Sequence, residues 1–174
     1  MEHTAVLSSS SAGIEVETIL VWLQDQRAHA IGILDGLGDD DLRRPVLSSG
    51  WSCLGMISHL ADLERFWFRR IISGESSPTS DLPYPTGDNW VVDASVPAAA
   101  VFAGYRREAE RTGAIVRALP LDTPPTWWPD FFGDWRLADL RSILFHVLTE
   151  TAGHAGHLDA ARELIDGRLW LVID

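Results

Sequence analysis

The chain has 174 residues, 46% hydrophobic and 22% charged, which is the size and balance of one soluble globular domain. Twenty-five acidic residues oppose 14 basic ones, for a net charge of -11. The bases gather only in pairs such as Arg43-Arg44, Arg69-Arg70 and Arg106-Arg107, so nucleic acid and anionic membrane surfaces are not expected partners.

In chain order, residues 1–13 are Ser-rich and read as a disordered tail, leaving a single domain over 14–174. Apolar residues then recur at helical spacing in four stretches. The first covers about 14–36, with Ile19, Leu23, Ile31 and Leu34 sharing one side. The second covers about 51–73, with Ser52 placed as an N-cap and Gly74 as a terminator. The third covers about 97–119, opened by Pro97 and stopped by Pro120. The fourth covers about 137–166, closed by Gly167. Trp22, Trp51 and Trp67 read as core or helix-packing residues, and Arg162 with Glu163 as a solvated pair, with the orienting of a ligand as the alternative.

Four amphipathic helices must bury their apolar faces against one another, which predicts an all-α four-helix bundle. The segment 75–96 holds Pro78, Pro83, Pro85 and Gly87. It is long enough to cross the bundle, so the second and third helices are expected to run parallel. The segment 120–136 is rich in aromatics, with Trp127, Trp128, Phe131, Phe132 and Trp135. Two readings stand for it: a lining for a pocket, built on Trp127, Trp128 and Trp135, or a plug over one end of the bundle.

What the chain lacks narrows its chemistry. No apolar run reaches the ~18 residues of a membrane span, and the N-terminus has no signal-peptide pattern, so a cytoplasmic protein is expected. A single cysteine, Cys53, excludes an internal disulfide and a cysteine-rich zinc site. There is no lysine, hence no Schiff-base or P-loop lysine. Gly-x-Ser-x-Gly, Cys-x-x-Cys and Gly-rich phosphate loops are also missing.

What remains is a histidine and carboxylate stripe. At 100° per residue, His146, Glu150, His154 and His157 fall within about 80° of one helix face, a sector expected to overlap the core. Glu150 and His154 are one turn apart and lean the same way. One oxygen and one imidazole nitrogen at that spacing reach a common cation. A third ligand is expected from a facing helix, and His59, which interrupts the stripe Met56, Leu63, Phe66, is the candidate. Three protein ligands leave positions open for water or substrate, as in catalytic zinc sites, although other first-row divalent ions such as Ni, Fe or Mn suit the same donors. The plainer alternatives are a hydrogen-bonded core histidine at 59 and a surface ion pair at 150 and 154. Cys53 lies about 240° around the helix from His59, which removes it as a ligand.

The segments Ser49-Gly50-Trp51-Ser52, 59–68 from His59 to Phe68, His146 to Glu150, 154–159 from His154 to Asp159, and Arg162-Glu163 resemble the DinB-like superfamily, and within it an actinobacterial branch of unknown function. The resemblance covers nearly the whole chain after residue 13. It implies a four-helix bundle with an up-down-down-up path and a divalent metal held by His59, Glu150 and His154. His157 and His146 then stand beside the ligands as supports or alternatives. The resemblance also implies a metal- and low-molecular-weight-thiol-dependent transferase or isomerase, with a thiol such as mycothiol as co-substrate and a homodimer as the assembly. The expectation drawn is a thiol S-transferase acting on a small molecule. A metal-dependent hydrolase and a non-catalytic small-molecule or protein-binding bundle are the alternatives.

Overall fold

The computed structural model describes residues 2–76 and 90–170, with side chains from residue 13 onward. The described residues are helical and contain no strand. The four long helices expected from the apolar spacing are present. Helix α1 spans Glu2–Gly32, so its range takes in residues assigned above to a tail. A short helix, α2, covers Asp39–Arg43 and has no counterpart among the expected elements. Helix α3 spans Cys53–Glu64 and continues without a break into a π-helical stretch, Arg65–Ile72. Helix α4 spans Ala98–Ala118 and α5 spans Leu140–Asp166.

The ends are set by local chemistry. The Ser52 side chain accepts from the Gly55 N–H at 3.0 Å and opens α3. Asp139 does the same for α5 through the Ser142 N–H at 2.8 Å. Gly167 closes α5 in the left-handed region at φ 78°, where glycine has no Cβ penalty. The first helix stops at Gly32, four residues short of Gly36.

Cross-helix pairs give the path. Glu15 meets Arg141 and His29 meets Asp159, so α1 and α5 run parallel. Arg27 meets Glu64, and Ile19, Leu20 and Leu23 share a core cluster with Trp67, Phe68 and Ile71, so α3 runs opposite to α1. Glu17 meets Arg117 while Tyr105 lies beside Arg27, so α4 also opposes α1. By these pairs α1 and α5 run one way and α3 and α4 the other. Most of the connection between α3 and α4, residues 77–89 with their three prolines, lies outside the described residues.

Two apolar clusters fill the interior. One gathers Ile33, Leu34, Leu54, Ile57, Val101 and Leu158, and the other Leu23, Phe68, Ile71, Val116, Leu140 and Leu144. Two sequence expectations need correcting here. Trp22 is 59% exposed and does not pack in the core; large apolar residues are common on surfaces, so apolar identity alone is a one-way guide. Arg162 is buried rather than solvated beside Glu163. Its Nη1 donates to the Ile33 carbonyl at 2.7 Å and the Asp35 carbonyl at 2.9 Å, and its Nε donates to Asp166 at 2.8 Å. The guanidinium therefore ties α5 to the carbonyls just past the end of α1.

Candidate functional site

The antiparallel packing of α3 against α5 brings the sequence-selected residues to one seam. His59 projects from α3 and His154 from α5, with ring centroids 5.0 Å apart and planes nearly perpendicular at 86°. Glu150, one turn before His154, places an oxygen 3.6 Å from His154 Nε2. His157 follows, its Nδ1 3.4 Å from that of His154. His146 lies two turns away and packs edge-on against Trp67 at 4.8 Å. As placed, no three His, Cys, Asp or Glu side chains among the described residues converge as a ligand set for an ion; the neighbours meet in pairs.

The stripe is less buried than its overlap with the apolar positions implied. Val147, Thr151, Ala155 and Leu158 point inward and are fully buried. The Glu150 side chain is 41% exposed, that of His154 15%, and His157 is exposed. The four polar residues line the outer edge of the α3–α5 seam, where carboxylate and imidazole keep access to solvent. This relieves the burial cost that would otherwise attach to them.

Burial still acts on the rings nearest the seam. It pushes the His59 imidazole down to about 4, with neighbouring His154 adding to the effect. His154 is lowered by burial, against the opposing pull of Glu150. Burial lowers His146 in the same way. Desolvation disfavours the imidazolium. Both facing rings are thus held neutral, the form in which imidazole donates a lone pair.

Cys53 is apart from this cluster. It is buried in the first turn of α3, and burial raises its thiol to about 11. At neutral pH it is protonated and unreactive.

Trp90 was not singled out by any spacing in the sequence. Its indole lies over His59 with centroids 3.7 Å apart and also contacts His154 at 5.6 Å. It stands 31 positions from His59 and belongs to no periodic segment, so no helical pattern reaches it. Trp51 adds a looser aromatic neighbour at 6.4 Å from His157.

The aromatic loop sits at the other end of the same seam. Trp67 stacks on Phe132 at 5.7 Å and meets Trp128 and Trp135. Trp135 reaches His146 at 5.7 Å. Trp127 turns away and carries Arg70 over its ring at 4.9 Å. The Thr126 N–H donates to the Ile71 carbonyl at 2.9 Å and the Trp127 N–H to the same oxygen at 3.3 Å. The loop thereby satisfies a carbonyl at the end of the π stretch that the helix itself leaves open. Trp128 and Trp135 pack over the end of the bundle around Trp67, and of these two loop residues Trp135 is the one in contact with the histidine stripe. A groove of about 750 Å³ lies elsewhere, between α1 and α4, and none of His59, Glu150 or His154 borders it.

A family model described as mycothiol S-transferase matches residues 18–167. No curated protein matches the chain.

Proposed function

Because the chain belongs to the mycothiol S-transferase family, we propose that it joins the sulfur of a low-molecular-weight thiol, mycothiol or a close analogue, to a small electrophile, with a divalent ion held by His59, Glu150 and His154. The observation that carries this reading is the pair of facing imidazoles, His59 and His154, with Glu150 beside them on the α3–α5 seam.

The donor set fits such an ion chemically. Two imidazoles that bind one ion at about 2.1 Å have ring centroids roughly 5 Å apart, and these stand at 5.0 Å. Both rings favour the neutral, donating form. Glu150 supplies negative charge and an oxygen one turn away. When bound, a divalent ion of this kind lowers the pKa of a thiol and holds it as thiolate at neutral pH.

The chain's own residues do the rest. Cys53 is protonated and buried away from the seam, so the attacking sulfur belongs to the co-substrate. In the transfer the thiol releases its proton to the solvent that reaches the seam beside Glu150, a sulfur–carbon bond forms to the electrophile, and the leaving group departs with its bonding pair or, in an addition, the electrophile takes up a proton from solvent. Trp67, Trp135 and His146 give the seam an apolar, aromatic end one turn beyond Glu150. That end suits the apolar part of an electrophile, with dispersion and ring contacts supplying affinity.

The test is direct. Protein purified without chelators is analysed for bound divalent metal and assayed for conjugation of mycothiol to monochlorobimane. His59→Ala is expected to lose the bound ion and to lower the rate by about 100-fold or more. Equal rates and equal metal content in the two proteins would overturn the reading.

A further inference from the structure

We infer that Trp90 is the positioning residue of this site: its carbonyl is seated on the first turn of α3, and its indole, lying on the His59 imidazole, holds that ring in its orientation against His154. The inference rests on the reading of the site given above and adds a residue and a device to it.

Three independent features place Trp90. Its ring lies on the face of His59, at 3.7 Å between centroids and 31° between planes. A face-on neighbour restrains rotation of the imidazole while leaving its nitrogens, which lie on the ring edge, open to a ligand. Second, Trp90 is the only non-glycine residue among those described with a positive φ, 51°. Left-handed backbone is unfavourable for a bulky side chain, and it persists only where the surroundings over-determine it. Third, those surroundings are identifiable. A Cβ at Gly55 would collide with the Trp90 carbonyl, so the absence of a side chain at Gly55 is what admits that carbonyl against α3. The Ser52 N–H and hydroxyl both point to the same oxygen, each at 3.5 Å.

The chain after Trp90 is anchored as well. Arg43 of α2 donates to the Val92, Asp93 and Val96 carbonyls at 3.3, 3.2 and 2.6 Å, and Val92 and Val96 are buried. The strained residue is therefore held at its own carbonyl and through the chain that follows it, and its side chain is delivered onto one histidine. Partners that orient a ligating histidine without touching the ion are a recurrent part of such sites, and removing one costs about 10–100-fold in ion affinity.

The experiment uses the full chain and Co²⁺ as probe, with affinity measured by competition against a chelator and coordination read from the visible spectrum. Trp90→Leu and Gly55→Ala are expected to bind Co²⁺ about tenfold or more weakly, with a changed spectrum, while Trp90→Phe, which keeps a flat ring, stays within about threefold. Gly55→Ala alters no side chain at the seam; its added methyl overlaps the Trp90 carbonyl first and comes within 3.1 Å of the Ser52 hydroxyl. A structural readout accompanies these: in metal-free protein the His59 Cε1–H resonance, assigned with His59→Gln, is expected to move downfield in Trp90→Leu as the indole ring current is lost. Thermal midpoints check that the variants fold. Undiminished Co²⁺ affinity in Trp90→Leu, or an unmoved His59 resonance, with wild-type binding intact, would overturn this inference and leave the three-ligand site standing. Absence of Co²⁺ binding by the wild-type chain would overturn the site itself, and this inference with it.

Discussion

Helix α3 and its π extension carry polar side chains on two sides, and the two sides meet different ends. Toward α1 and α4, charge is matched with charge. Arg27 grips Glu64 through two bonds of 2.8 and 2.6 Å, with both side chains at most 5% exposed. Arg65 meets Asp62 at 2.6 Å, and Glu108 receives Arg69 at 3.2 Å and Arg111 at 2.9 Å. Toward α5 no arginine joins the cluster among the described residues. Two imidazoles held neutral by burial face each other beside a half-exposed carboxylate. The Arg27–Glu64 pair consumes its own hydrogen-bonding capacity and holds two helices together, whereas Arg65 keeps Nε and Nη2 buried without a hydrogen bond. Lone pairs without a guanidinium to receive them retain the capacity to bind something else.

The sharpest way to break that contrast is to remove one partner on the paired side. Arg27→Met leaves Glu64 as an isolated carboxylate in the interior. The expected cost is about 3–5 kcal/mol of stability, which for a chain of this length lowers the melting midpoint by roughly 6–20 °C. Adding Glu64→Leu to that variant is expected to recover most of the loss, because a well-packed apolar pair often equals a buried ion pair. Denaturant titration of the two variants checks this, with conjugation per folded molecule expected to remain near wild type at low temperature. A double variant no more stable than Arg27→Met would mean that the pair does more than neutralise itself.

The matching experiment on the other seam has an effect of different kind. Glu150→Gln keeps size and shape and removes the charge. Its side chain is partly exposed and makes no short bond, so stability is expected to change by less than about 0.5 kcal/mol. Divalent ion affinity, followed by calorimetry, is expected to fall about tenfold or more, or ~1.4 kcal/mol per decade. A large stability loss with ion binding unaltered would reverse the comparison and make Glu150 a structural residue.

The sequence was a good guide to one of these seams and a poor guide to the other. The stripe His146, Glu150, His154 and His157 follows from helical spacing alone, and His59 stands out because it interrupts an apolar face. The caps Ser52, Pro97 and Gly167 marked helix ends for the same reason: their chemistry is local. The ion pairs were not legible, since Arg27 and Glu64 are 37 positions apart and a charged residue in a helix reads first as solvated. Arg162 was misjudged for that reason; its acceptors are backbone carbonyls after α1, which carry no signature in sequence. The π stretch reads as ordinary helix because a widened turn does not change residue type. Trp90 was invisible because its placement depends on a glycine of α3, the serine that caps α3 and an arginine of α2, three contacts that no periodicity records.

A gentler test concerns a side chain that belongs to neither seam. Cys53 is the only thiol in the chain, and in a member of the mycothiol S-transferase family it is the obvious rival to an external thiol. Burial raises it to about 11 against an ordinary value of 9.0. Native protein at pH 8 is therefore expected to react with Ellman's reagent only as fast as it unfolds, and unfolded protein at once. The sign of the accompanying stability change follows from the same shift. Below pH 9 the thiol is protonated in both states and contributes nothing that varies. Between pH 9 and 11 the unfolded thiol ionises first, so the unfolded state is favoured and stability falls as pH rises. Cys53→Ala is expected to flatten that part of the pH profile while leaving mycothiol conjugation unchanged. Rapid labelling of the native chain, or loss of conjugation in Cys53→Ala, would move the reacting sulfur from the co-substrate into the protein and require a different account of the seam between α3 and α5.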